Sequence, residues 1–332
     1  MCGGIQSGLG YLGAVNPSRE MRNFNTFASR ATAAIVAVFT FGFGTAAEPL
    51  PPEPPKRSQL EAALVKTGET HARLRIVLLA DKKDHRVNEH DYPLWQERWS
   101  LLLGGKAASG ASQINLFGPA IAREKAAAGA ENVTVTCAHG WPTEEQFASA
   151  DVIVAFCYLA WNDERKQQLK RYLDRGGGFV IIHSATWTKP KADPAVATLV
   201  GVGGFTQFRH GPVPVEIVAT DHPICKGLPK QVSFLDETYW PPTTTLDAKR
   251  VTVLAGSLEN DAATKLTSAQ PMFWTCETGR GRVFGCVLGH YVWTFDDPWF
   301  RALLLRGIAW AGGGSVYRFD PLVLRGARVA DK

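Results

Sequence analysis

The chain has 332 residues, 45% hydrophobic and 20% charged, with a formal net charge of +5. This is an ordinary globular composition, long enough for two domains, although α/β domains of about 200–250 residues are common. The charge excess is mild, and no Lys/Arg block alternates with aromatic residues as a single-strand binding groove requires, so nucleic acid is not the expected partner.

Residues 1–47 differ from the rest. Met21 opens a segment with Arg22 and Arg30, followed by the apolar and small-residue run Ala31–Gly44 and then Thr45-Ala46-Ala47. A basic start, a short apolar core and small residues at the exit describe a secretory signal peptide, with Met21 a candidate start and cleavage expected after Ala47. A spanning helix needs about 20 residues, more than this run offers; an uncleaved N-terminal anchor is the alternative. Residues 48–72 are a linker and lead-in: Leu50-Pro-Pro-Glu-Pro-Pro55 reads as stiff and extended, Lys56–Ala72 as polar and weakly helical. No later apolar run is long enough to cross a membrane. The expectation is a soluble exported protein, periplasmic or extracellular, with no membrane span after cleavage. Past the signal region lie Cys137, Cys157, Cys225, Cys276 and Cys286, an odd number without a CxxC. One disulfide is possible but a disulfide scaffold is not; most of these cysteines read as small buried hydrophobes.

Leu74–Ala80 is a clean first strand, with Asp81–His85 leaving its end. The Asx- and Pro-rich turn Asn88–Pro93 precedes an amphipathic helix on which Leu94, Trp95, Trp99, Leu102 and Leu103 fall near helical spacing. Gly104–Pro119 reads as a loop, Ala120–Ala128 as a helix and Val133–Cys137 as a short strand. Thr143 with Glu145 and Gln146 is close to a capping box. Val152–Cys157 is a fully apolar strand. Asn162 or Asp163 caps the next helix, whose inward face carries Leu169, Tyr172 and Leu173. Gly176–Gly178 end that helix, and Phe179–Ile182 follows as a strand buried on both faces. Strand, helix, strand at this spacing means right-handed crossovers and a parallel sheet.

Beyond Trp187 the pattern loosens. Lys189–Asp193 reads as a mobile loop, Val213–Ala219 as an edge strand and Val251–Ala255 as a further strand. Met272–Glu277 and Arg282–Leu288 form a hairpin across Thr278–Gly281. A last helix begins near Asp297-Pro298 and stops at Gly312–Gly314; residues 313–332 read as a tail.

Ligands of open α/β sheets bind outside the carboxyl ends of the strands. There stand His183, Ser184 and Trp187, after the central strand, and His290, after the last; a hydrogen-bonded histidine at the rim of the core is the alternative. Seven of the eight histidines (His85, His90, His139, His183, His210, His222 and His290) fall in loops or at strand ends. If several converge, they could ligate a divalent metal such as zinc or supply acid–base groups near neutral pH; their spacing decides neither. Asp236 and Glu237 are adjacent in a strand-like run, so only one can face a given pocket. Glu237, on the face of Tyr239, would have its pKa raised by partial desolvation, or else be locked to an arginine. Ser184 lacks the G-x-S-x-G elbow of an exposed nucleophile.

Several pieces together resemble the ThuA-like (trehalose-utilisation) domain family: Phe179–Ala185 around His183, Asp221–Ile224 with Gly227-Leu228, Asp236–Tyr239, Gly279–Phe284, and Gly289-His290 running through Asp297–Phe300. The resemblance covers about Arg73–Gly312, so residues 73–312 are expected to be one domain. The segment Lys83–His85 with Glu89–Pro93 looks like a subgroup of exported bacterial members. The resemblance implies an α/β fold with a mostly parallel sheet, three-layered and flavodoxin-like, similar to class I glutamine amidotransferases. Glutaminase activity is not expected, because no cysteine sits at the elbow. The resemblance further implies a carbohydrate substrate, a keto-disaccharide or glycoside, converted by His/Glu acid–base chemistry with possible metal assistance. His183 and His290 are then the expected base and acid, or metal ligands, with Glu237 as partner. His85, His90, His210 and His222 are wall or ligand positions, and Trp187, Tyr239 and Trp293 are candidate sugar-stacking platforms. A non-catalytic sugar-binding or interaction module is the competing reading.

Overall fold

The computed structural model describes residues 49–66, 68–121, 129–189, 191–243 and 246–330. The signal region and most of the expected helix Ala120–Ala128 lie outside the described residues. The described chain is a mixed α/β structure around one nine-stranded sheet, in the order β2-β1-β3-β4-β9-β8-β7-β5-β6. Strands β1 (Leu74–Ala80), β2 (Val133–His139), β3 (Val152–Ala155), β4 (Gly178–Ile182) and β9 (Gly281–Cys286) form its parallel half. Every residue of β3 and β4 is buried, as expected of parallel strands covered on both faces. The antiparallel half contains β8 (Thr267–Thr278), β7 (Val251–Asn260), β5 (Phe205–Ile217) and β6 (Gln231–Pro242). The β8–β9 hairpin turns where the sequence predicts.

The helix boundaries follow side-chain chemistry. Helix α1 (Arg57–Ala63) lies in the lead-in. Asp91 caps α2 (Tyr92–Gly104), Thr143 and Gln146 form the capping box of α3 (Glu144–Ser149), and Asn162 caps α4 (Asp163–Asp174). Asp193 caps α5 (Pro194–Val200), and Asp297 caps α6 (Pro298–Ala311) by accepting from the amides of Trp299 and Phe300. These side chains satisfy amides that have no partner inside the helix. Glycine is required where α4 turns into β4: a Cβ on Gly178 would lie 2.3 Å from the Ala311 carbonyl oxygen, and one on Gly177 would lie 2.4 Å from the Tyr172 ring. Trp95 and Trp99 are fully buried with Phe156 and Phe295, in the core rather than at a ligand.

Two expectations need correction. Val213–Ala219 is not an edge strand. It belongs to the longer β5, which pairs with β6 along most of its length and with β7 at Glu216 and Ile217; β6 is the edge. Apolar alternation reports which face is buried, and is blind to who pairs with whom. The expected tail, residues 313–332, is also packed over its described part, which ends at residue 330. Phe319 and Val323 are fully buried, and Asp320 accepts from the buried Arg306 guanidinium of α6 at 2.8 and 2.9 Å. Arg306 also donates to the carbonyls of Ala63, Ile224 and Lys226, tying α1, a turn after β5 and the C-terminal segment to one cation. All five cysteines among the described residues are free; Cys137 is exposed and the other four are buried.

Candidate functional site

Side chains from the carboxyl ends of β1, β3, β4 and β9 converge, and the β5–β6 ribbon adds a wall. The ribbon meets β7 over only two residue pairs, so the rest of it is free to lean over the strand ends. Glu237 of β6 stands opposite His210 of β5 in the ladder. Asp236 and Glu237 point to opposite sides, as strand geometry requires. Asp236 is fully buried and accepts from the amides of Gly289 (3.1 Å) and His290 (2.9 Å) and from the Thr294 hydroxyl (2.5 Å). Asp236 therefore shapes the turn that presents His290, while Glu237 enters the site.

The loop after β1 is zipped to the same turn: the His90 amide donates to the His290 carbonyl, and Val292 donates to Asn88. His90 and His183 both have left-handed backbones, with φ of 42° and 48°. Such conformations cost non-glycine residues on the order of 1–3 kcal/mol and cluster at functional sites. His183 Nδ1 donates to the Val287 carbonyl at 2.6 Å, leaving Nε2 as the inward-facing atom. His183 Nε2 lies 2.8 Å from His90 Nε2, 2.8 Å from the Tyr239 hydroxyl and 3.2 Å from Glu237 Oε2. His90 Nδ1 faces Asp84 Oδ1 at 3.1 Å and the Tyr92 hydroxyl at 2.9 Å. Glu237 Oε2 lies 3.0 Å from His290 Nδ1 and accepts from the Tyr239 hydroxyl at 2.9 Å, while Oε1 is 3.3 Å from His210 Nε2.

The electrostatics follow from this packing. Burial pushes the His90 imidazole down to about 3, against the pull of Asp84, so His90 is neutral at neutral pH. Burial works to raise Asp84, but its hydrogen bonds with His90 and His85 prevail and hold it at about 2. Glu237 corrects an expectation. Burial would lift it, yet hydrogen bonds and charge from His183 and His290 prevail and hold it well below the usual carboxylate range. Among the described residues its charged partners are His183, His210 and His290 rather than an arginine, and so acidic a group is a poor proton acceptor. His210 is lowered by burial despite the nearby Glu237 charge, leaving a neutral imidazole at neutral pH. Burial pushes Tyr158 up to about 12, so its hydroxyl stays protonated.

The site opens into a cavity of about 500 Å³ whose lining includes Trp187, Phe208, Tyr158, His210, Glu237 and His290. His85 and Tyr239 also line it; His90 and His183 lie behind its floor. Two expected positions are elsewhere. His222 caps a turn at Ile224 and packs on Trp310. Trp293 is buried, donates to the Leu235 carbonyl and stacks on Tyr291, so it is not a sugar platform. His139 closes a tight turn with Trp141. Ser184 is fully buried and does not line the cavity, which leaves no support for a serine nucleophile. Asp84, Tyr158 and Phe208 were missed as site residues. Asp84 and Tyr158 lie in the segments that leave β1 and β3, within four residues of the strand ends, where the strand-end rule points.

Fold and site together define a mixed α/β protein, with a sheet mostly parallel at its core and a buried histidine–carboxylate cluster at the strand ends. The chain belongs to the ThuA family, described as trehalose utilisation, whose model matches residues 101–311. Among solved structures it is similar to a ThuA-like protein from Bacteroides uniformis, at 18% identity and a TM-score of 0.53, covering 76% of this chain and 98% of that one. A second, from Parabacteroides merdae, is also 18% identical, with a TM-score of 0.46 and coverage of 72% and 90%. No curated protein matches the sequence. The family suggests a role in carbohydrate metabolism.

Proposed function

We propose that this protein is an exported carbohydrate-converting enzyme that cleaves a keto-disaccharide or keto-glycoside by acid–base chemistry. One observation carries the reading: a single buried carboxylate, Glu237, lies within 3.3 Å of His183, His210 and His290 at a cavity with an aromatic rim. Trp187 and Phe208, in edge contact with each other, offer apolar faces to a sugar ring. A keto group acidifies the neighbouring C–H. His210, neutral and facing the cavity, is the proton acceptor in this reading. As the C–H bond breaks, its electron pair forms a C=C bond and the glycosidic C–O bond opens; the His210 imidazolium returns the proton to the departing oxygen. Glu237 stays ionised and supports the imidazolium charge. His183 and His290 set the field beneath the substrate.

The same reading takes the fold as three-layered and flavodoxin-like. Chain order supports this: β1→β2 and β2→β3→β4 run in opposite directions across the sheet, and right-handed crossovers then put α2 on one face and α3 and α4 on the other. Export rests on the character of residues 1–47. Among the described residues, no helix is long and apolar enough to cross a membrane.

The test is release of free sugar from a 3-keto-glycoside compared with its unoxidised parent. Turnover of the keto form alone is expected, reduced about 10²–10⁴-fold in His210→Ala. Saturable sugar binding without turnover would replace the enzyme by a non-catalytic sugar-binding module, and neither binding nor turnover would remove the carbohydrate reading.

A further inference from the structure

We propose that His90, His183, His290 and Glu237 form a binding site for one divalent first-row transition-metal ion, built into the floor of the cavity. One donor atom from each lies within 4.8 Å of all the others, and all four residues are buried. This deepens the reading above at the same pocket, but the site stands on its own geometry.

The tautomers come first. The Val287 carbonyl can only accept, so the 2.6 Å contact makes His183 Nδ1 the protonated nitrogen. Asp84 holds His90 Nδ1 in the same way. The two Nε2 atoms therefore direct lone pairs at each other across 2.8 Å. Two buried acceptors facing each other need a shared cation, and a metal ion supplies one. His290 adds a second sign: it is 2% exposed, its Nδ1 lies 3.0 Å from Glu237 Oε2, and its Nε2 has no hydrogen-bond partner. A buried imidazole nitrogen without a partner is rare unless something else occupies its lone pair.

The outer partners match what metal-binding histidines ordinarily have. A carboxylate (Asp84) backs His90, a backbone carbonyl backs His183, and these fix ring orientation and raise donor strength. Three imidazoles with one carboxylate favour zinc, iron, cobalt or nickel over magnesium or calcium, which prefer all-oxygen sets. Bonds of about 2.0–2.1 Å place neighbouring donors about 3.0–3.4 Å apart; the separations of 2.8, 3.0 and 3.2 Å need only small adjustment. An ion here would serve as a Lewis acid toward a substrate oxygen in the cavity.

The experiment measures metal without substrate. The full chain, purified without chelator, is assayed for metal content as wild type, His90→Ala, His183→Ala and His222→Ala; chelator-stripped wild type is then titrated with Co²⁺ by visible absorption and with Zn²⁺ by calorimetry. One ion per chain is expected in wild type and in His222→Ala, with affinity reduced at least about 100-fold in His90→Ala and His183→Ala. Stripped wild type that takes up neither ion stoichiometrically overturns the site, as does unchanged affinity in the two variants. Should those variants fail to fold, the wild-type titrations decide alone. Metal binding with neither binding nor turnover of a keto-glycoside would sink the carbohydrate reading and leave the site standing; turnover by metal-free protein that binds no ion would do the reverse.

Discussion

His90 and His183 meet Nε2 to Nε2 at 2.8 Å, although 93 residues separate them in the chain. One leaves the loop after β1 and the other ends β4, and each is pinned from behind by a different acceptor. That arrangement organises the site: it orients two lone pairs inward, and Glu237 reaches them from the far edge of the sheet. Asp84 is the part of it open to a clean test. Replacing Asp84 with asparagine keeps the shape but removes the charge behind His90. Metal affinity should fall roughly 10–100-fold, as for other outer-sphere partners, with unfolding by urea little changed. Calorimetric titration with Zn²⁺ checks it, and unaltered affinity would remove Asp84 from the site.

Asp320 and Arg306 are both buried, and the carboxylate takes two of the guanidinium's hydrogen bonds. Removing one partner of such a pair leaves a buried charge without compensation, at a cost of about 3–5 kcal/mol. Asp320→Ala should lose stability on that scale in urea unfolding. A loss below about 1 kcal/mol, the range of exposed pairs, would mean that the C-terminal segment contributes little to the fold.

Gly285 of β9 faces Trp274 of β8 directly across the ladder, and a Cβ there would lie 2.0 Å from the indole. Trp274 cannot easily withdraw, because its ring nitrogen donates to the Val200 carbonyl at 2.8 Å. Gly285→Ala should cost at least about 1–3 kcal/mol by overpacking, seen as a lower urea midpoint with an unchanged slope. A neutral result would show that the hairpin can shift.

Arg75 and Asp151 tie β1 to the start of β3 through contacts of 2.6 and 3.1 Å, and the Arg75 amide donates to the same carboxylate. Burial alone would raise Asp151, but the hydrogen bonds and charge of Arg75 lower it below its ordinary value. A carboxylate depressed in the folded state stabilises fully above its unfolded pKa of about 3.9 and loses that contribution as pH falls through the folded value. Wild type should exceed Asp151→Asn by about 1 kcal/mol at pH 7, because solvent screens this partly exposed pair. The difference should shrink below about pH 4. A pH-independent difference would assign the effect to packing.

Much of the parallel half was legible in the chain. β3 and β4 are short apolar runs bounded by caps and glycines, and burial on both faces leaves no other use for such runs. His183 and His290 stood out because both follow strands at the end where α/β sheets bind ligands. The antiparallel half was harder to read, since β5 and β6 gain their place from pairing with each other, which no local pattern records. The C-terminal segment was misread for a related reason. Its anchor, Asp320, looks like any surface acid until Arg306 is seen beside it.

The sequence by itself determined the mixed α/β class, several helix starts and the adjacency that sends Asp236 and Glu237 to opposite sides, because these depend on residues within a few positions of one another. Only the tertiary structure decided that His90 joins His183 and Glu237, that Trp293 and His222 do not, and that Glu237 is strongly acidic rather than a raised-pKa base. Those outcomes depend on distances between strands far apart in the chain. A carboxylate's proton affinity is set by whichever charges and donors the fold places around it.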